Sequence, residues 1–119
     1  MLKDKIAAFI EKIRAIDGVT ACAIVSRDGI IAGKYFGREL NEPWFGALAA
    51  TILASAESAG TLISMKPLSA VTIRASDLSI LVMGAGDHFL IAAVIKGTAK
   101  QDVVCSHIGA VAAEIGRVM

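Results

Sequence analysis

Leu2, Ile6, Phe9, Ile10, Ile13 and Ile16 recur three or four residues apart, with Lys3, Lys5, Glu11, Lys12 and Arg14 between them. That spacing predicts a two-sided helix. Gly18 stands where its C-terminal cap belongs. Residues 19–26, VTACAIVS, are apolar at odd and even positions alike, which suits a strand covered on both faces. Asp28-Gly29 is a preferred pair for a tight hairpin turn, and IIAGKYF, residues 30–36, reads as the returning strand. Asn41-Glu42-Pro43 predicts the start of a second helix. Lys66-Pro67 predicts its end.

Three further strands follow: LSAVTIRA at 68–75, LSILVMG at 78–84 and FLIAAVI at 89–95. Ser76-Asp77 and Ala85-Gly86-Asp87 supply the turns between them. The last of these strands is apolar at every position, so it belongs in the middle of the sheet. From about Ala99 a third helix carries Val104, Ile108, Val111, Ala112 and Ile115 on one side. Gly109 and Gly116 weaken it intrinsically. They are expected to permit close approach to a neighbour, the first helix being the natural candidate.

The order is thus α-β-β-α-β-β-β-α. It predicts an α+β fold, a five-stranded antiparallel-rich sheet between helical layers. The middle helix should cover one face and the terminal helices the other. With 119 residues and 12.3 kDa, the chain forms one domain, 1–119.

Hydrophobic residues make up 55% and charged residues 19%, and the mean hydropathy is +0.67, which excludes intrinsic disorder. Net charge is +1, so there is no electrostatic footprint for nucleic acid or an anionic membrane surface. The apolar excess has two explanations. Residues 43–65 are long enough to span a bilayer. They also hold Glu57, much Ala and Gly, and few large aliphatics, so membrane insertion is not expected. The alternative is a surface covered by another subunit. The N-terminus lacks a signal-peptide core. Cys22 and Cys105 belong to no CxxC, and reduced thiols in a cytoplasm are the expectation. Both cysteines read as small buried residues, with pairing between them as the other possibility.

Catalytic patterns are weak. Gly29-Ile-Ile-Ala-Gly33-Lys34-Tyr35 has one residue too few for a phosphate loop, and Tyr35 stands where a Ser or Thr should hold the metal. Gly84-Ala85-Gly86 reads as a turn. His88 reads as a loop residue and His107 as a helix-surface residue, with too few converging ligands for a metal. Ser106 and His107 are adjacent, and adjacent residues on a helix point different ways. No catalytic, cofactor-binding or metal-binding residue is assigned, and no cofactor is expected. Trp44 reads as a core residue, with an interface anchor as the alternative.

The informative feature is the near absence of charge in the middle helix. Over residues 43–65 the only ionisable side chain is Glu57. Phe45, Leu48, Ile52, Ala56, Ala59 and Ile63 form a stripe expected to face the sheet. The flank beside it is Ala47, Thr51, Ala54, Ser55, Ser58 and Leu62. A helix with one covered side normally carries charge on the other. Small, uncharged groups instead allow a second helix to approach without desolvating charges. Strand 68–75 points the same way. As an edge it would leave backbone groups unpaired, and Val71 and Ile73 are its β-branched residues. Pairing with a second copy about a two-fold axis satisfies both features, which makes these eight residues the expected dimer interface.

On these residues the chain resembles the Roadblock family. The resemblance is carried by Ile16-Asp17-Gly18-Val19 leading into Ala23-Ile24-Val25-Ser26-Arg27-Asp28-Gly29. The small-residue helix from Trp44 to Met65, Val71-Thr72-Ile73 and Phe89 to Ile95 carry it as well. It implies a profilin-like domain that dimerises through the middle helix and third strand and works as a regulator or scaffold without catalysis. Its members include dynein light chains, bacterial regulators of Ras-like GTPases and lysosomal scaffold subunits. With short termini outside its first and last elements, the chain fits best a prokaryotic-style regulator that binds a Ras-like small GTPase. A structural adaptor joining larger assemblies is the alternative. Arg27, Arg38 and Arg74 are candidates for an arginine finger by chemistry alone. The middle helices are the first choice for the partner-binding face.

Overall fold

A computed structural model describes residues 1–37 and 39–119. Its elements are α1 (Leu2–Arg14), β1 (Val19–Ser26), β2 (Ile31–Phe36), α2 (Glu42–Leu62), β3 (Val71–Arg74), β4 (Leu78–Ala85), β5 (Phe89–Lys96) and α3 (Gln101–Val118). The strands form one antiparallel sheet in the order β2-β1-β5-β4-β3. β5 is central, as its unbroken apolar run requires, and β3 is an edge.

The two faces of the sheet are covered unequally. Ile6, Phe9, Ile10 and Ile13 of α1 join Val104, Ile108 and Ile115 of α3 over Cys22, Ile24, Leu81 and Ile91. All five α3 residues expected on its inner side are buried. Lys12 Nζ donates to Glu114 Oε2 at 2.8 Å and ties the two helices at the surface. That bond holds the Glu114 carboxyl below its usual range. The opposite face carries Ala23, Val25, Val82, Leu90 and Ala92 under α2 alone.

Several boundaries differ from the sequence reading. α1 ends at Arg14, and Gly18, at φ 101°, serves the turn into β1 instead of capping the helix. α2 stops at Leu62, before Lys66-Pro67. The Ser64 N–H donates to the Thr61 carbonyl at 3.1 Å and the Met65 N–H to the Gly60 carbonyl at 2.9 Å. This is a Schellman stop, with Ser64 at φ 55° where glycine is usual. β3 keeps only four residues of the eight expected. Gly116 does not meet α1. It packs on the β4–β5 turn, where an added Cβ would stand 3.2 Å from the Gly86 backbone, while nothing lies within 4 Å of Gly109.

Glycine is required where α2 crosses the β1–β2 hairpin. A Cβ on Gly46 would stand 2.5 Å from the Gly29 carbonyl oxygen. That oxygen belongs to backbone held by the turn, in which the Gly29 N–H donates to the Ser26 carbonyl at 2.9 Å. Gly46→Ala is therefore expected to lower stability by about 1–3 kcal/mol. A urea midpoint equal to that of the wild type would show that the helix and hairpin can separate freely.

Candidate interaction surface

α2 is built to stand firmly on the sheet. Asn41 caps it, its Oδ1 accepting from the Trp44 N–H at 3.3 Å, and Pro43 sits in the first turn. Lys34 of β2 pairs with Glu42. The Phe45 ring meets Phe36 edge-on, with centroids 5.6 Å apart. The buried residues of the helix are Gly46, Ala49, Leu53 and Gly60. Gly46 rests on the β1–β2 turn, Ala49 and Leu53 pack on β1, β4 and β5, and Gly60 lies against Met65.

This inner stripe is not the one expected. Phe45, Ile52 and Ala56 do lie half-buried toward the sheet. Leu48, Ala59 and Ile63 point away, and Ile63 is 71% exposed. Trp44 is 64% exposed and belongs to the outer surface rather than the core. Small residues form the true contact because the helix lies close to the hairpin. Both sides of α2 are apolar, so hydrophobic spacing could not distinguish them. The signal that could have was Gly46, which stands where the helix meets the Gly29 backbone.

The expected flank is where the sequence placed it. Ala47, Thr51, Ala54, Ser55, Ser58 and Leu62 are all exposed. Trp44 and Leu48 extend the same surface. The Thr51 hydroxyl donates to the Ala47 carbonyl at 2.8 Å and the Thr61 hydroxyl to the Glu57 carbonyl at 3.1 Å. Those donors are satisfied within the helix, which makes the surface less polar than its composition suggests. α2 is also the one helix, among the described residues, long and apolar enough to cross a membrane.

β3 presents the second feature. It pairs with β4 only: Val71 with Val82, Thr72 with Leu81, Ile73 with Ile80, Arg74 with Ser79. The Ala75 N–H donates to the Leu78 carbonyl at 2.9 Å. Alternation along a strand then turns the backbone of Val71 and Ile73 toward β4, and that of Thr72 and Arg74 toward the open edge. Val71 is half-buried and Ile73 is exposed, both on the α2 side of the sheet.

Arg27 is engaged inside its own chain. Its Nη1 donates to both carboxylate oxygens of Glu57, at 3.2 and 3.3 Å, and its Nη2 to the Gly86 carbonyl at 2.9 Å. Gly84 makes room for it, since a Cβ there would stand 2.8 Å from Nη2. Glu57, the carboxylate in the body of the central helix, is thus matched by a cation from the β1–β2 loop. Arg74 is exposed on β3, and Arg38 lies outside the described residues. His88, Ser106 and His107 are exposed. No group of three metal-ligating side chains converges among the described residues. Gly29 to Tyr35 runs from a hairpin turn into β2, with no helix N-terminus to receive a phosphate. Gly84 and Ala85 end β4, and Gly86 turns at φ 76°.

The molecule is thus a profilin-like α+β domain with an uncharged helix back and an open strand edge. Its fold is similar to that of profilin II from Acanthamoeba castellanii, with a TM-score of 0.64, 16% identity, and 92% of this chain and 95% of that one covered. The Roadblock/LC7 domain profile matches residues 5–96, and the chain belongs to the Roadblock/LC7 family. The fold is also similar to MglB of Myxococcus xanthus, with a TM-score of 0.89, 13% identity, and 98% and 88% of the two chains covered. An MglB with a tetrameric arrangement gives 0.86, with 17% identity, 97% and 88% covered. No curated protein sequence matches the chain.

Both cysteines are free, Cys22 buried and Cys105 half-buried. Burial pushes the Cys22 thiol from 9.0 up to about 12. The folded state keeps that proton where the unfolded state loses it. The contribution to stability is therefore complete below pH 9 and declines as pH rises toward about 12. At pH 8 a disulfide reagent such as DTNB is expected to titrate Cys105 in the native protein and Cys22 only after denaturation. Two fast native thiols would mean that the core under α1 opens readily.

Proposed function

We propose that this chain is a non-catalytic, homodimeric regulator or scaffold that binds a Ras-like small GTPase in the cytoplasm. Membership of the Roadblock/LC7 family supports this reading. So does the fold shared with an MglB described in a tetrameric arrangement. The observation that carries it is the pairing of two unfinished features on one side of the molecule: the uncharged outer face of α2 and the open edge of β3.

A second copy resolves both. Antiparallel pairing of β3 with its symmetry mate extends the sheet to both copies and removes the edge. Ala47, Thr51, Ala54, Ser55, Ser58 and Leu62 let the two α2 helices approach, while Val71 and Ile73 continue the apolar face across the junction. Glu57 does not oppose this, because Arg27 balances it. α2 packs on its own sheet through Ala49 and Leu53, which supports a protein partner over insertion in a bilayer.

The dimer would act on the GTPase by holding its switch segments in one state. Such an effect equals the difference in affinity for the two states, about 1.4 kcal/mol for each tenfold change. Hydrolysis would use the GTPase's own groups; of the three candidate arginines, Arg27 is already engaged by Glu57 and Gly86.

Two outcomes test the reading. Ser55→Glu or Ala54→Arg is expected to halve the mass seen by light scattering, since each buries a charge without a partner. A dimer that survives both places the interface elsewhere. The nucleotide turnover and exchange of a small GTPase encoded beside this gene are expected to change when the protein is added. Binding without any change in either rate supports the adaptor instead.

A further inference from the structure

The face of the sheet beneath α2 is covered row by row, and one row is left open. Val71, Val82, Ala92 and Ala23 stand in register, and the last three have no exposure at all. The next row is Ile73, Ile80, Val94, Ala21 and Phe36, crossing all five strands. There Ile80 and Val94 are half-exposed and Ile73 is 42% exposed. A groove of about 340 Å³ lies over this row, walled by Leu40, Phe45 and Leu78 and reaching Ile73 on the edge strand β3. Asp77 stands at its rim.

The chain also carries an apolar knob that nothing covers. It is the Schellman stop of α2, where Leu62 is 87%, Ile63 71% and Met65 54% exposed. Lys66 follows it directly and is exposed. Among the described residues neither Lys66 nor Asp77 takes part in an ion pair.

Two-fold symmetry brings knob and groove together. In an antiparallel pairing of β3 with its mate, the segment before one strand runs beside the segment after the other. The edge-facing residues are Thr72 and Arg74. Placing Thr72 on the axis sets the two Arg74 side chains four residues apart, about 13 Å at the usual rise, and avoids a like-charge pair. Val71 then faces Ile73 of the second copy on the α2 side. The β3–β4 turn, Ser76 and Asp77, then lies level with Leu68 of the second copy, two residues from its Lys66. We infer that the groove receives the Leu62–Met65 tip of α2 from a second copy, with Lys66 of each copy beside Asp77 of the other. The contact is isologous, each copy giving one knob and one groove. It rests on the dimer proposed above and assigns that dimer its outer anchor.

The test is a charge-exchange cycle read by sedimentation equilibrium. Lys66→Glu and Asp77→Lys are each expected to weaken the dimer about three- to tenfold, since two symmetric exposed pairs are reversed. The double variant is expected to return to within about twofold of the wild type. Ala75→Trp, an exposed position beside the groove, is expected to obstruct entry and weaken the dimer by about tenfold or more. Matching thermal melts show that each variant is folded. If these variants leave the dimer intact while Ser55→Glu dissociates it, the groove is overturned and the dimer stands. Weak single variants that the double does not rescue overturn the Lys66–Asp77 pairing. A wild type that stays monomeric overturns the groove and the dimer together.

Discussion

A sheet that is apolar on both faces must be covered on both, and this chain has three helices to do it with. Five strands spaced by about 4.8 Å make a face about 19 Å across. Two helices packed about 10 Å apart span it, and one does not. α1 and α3 share one face and bury it. α2 has the other face to itself and crosses from β2 toward β3 and β4. What it cannot reach stays open: the row through Ile73, Ile80 and Val94, and the edge of β3. What it turns outward has no second layer above it. The open apolar surface is therefore a consequence of the count of helices, and its residues carry little charge.

The tolerance shows in the chemistry of α2. Its outer side is Ala, Ser, Thr and Leu, its threonine hydroxyls bond within the helix, and its two carboxylates are met by cations, Glu42 by Lys34 of β2 and Glu57 by Arg27 from the neighbouring loop. Arg27 reaches that carboxylate only because Gly84 has no side chain. A charge on this helix would be solvated in a monomer and stranded in a closed assembly. The Arg27–Glu57 pair removes that conflict at position 57. One of the three arginines that chemistry alone offered, Arg27, is thereby held within its own chain.

Much of this was legible from residue order. β1 was recognised residue for residue, because Val19 to Ser26 is apolar at both parities and bounded by a glycine and a turn. The inner side of α3 was recognised because Val104, Ile108, Val111, Ala112 and Ile115 repeat once per turn against a polar remainder. In α2 the same spacing points to the wrong inner side. There Leu48 and Ile63 compete with Ala49 and Leu53, and no polar side breaks the tie. It also ran α2 on to Pro67, since a serine in the left-handed region at position 64 gives no warning in sequence. The flank Ala47 to Leu62 was nonetheless placed outside, because freedom from charge and small size marked it independently of the hydrophobic pattern.

Sequence alone thus determined the element order, the central place of β5 and the uncharged character of the middle helix. These follow from local spacing and composition, which each residue carries with it. The tertiary structure alone decided which side of α2 meets the sheet, that Gly46 must clear the Gly29 carbonyl, and that Arg27 lies across two turns to reach Glu57. It alone left one sheet row open beside Phe45. Each of these depends on the angle at which a single helix crosses a twisted sheet. That angle is set by contacts between residues far apart in the chain, which no local pattern encodes.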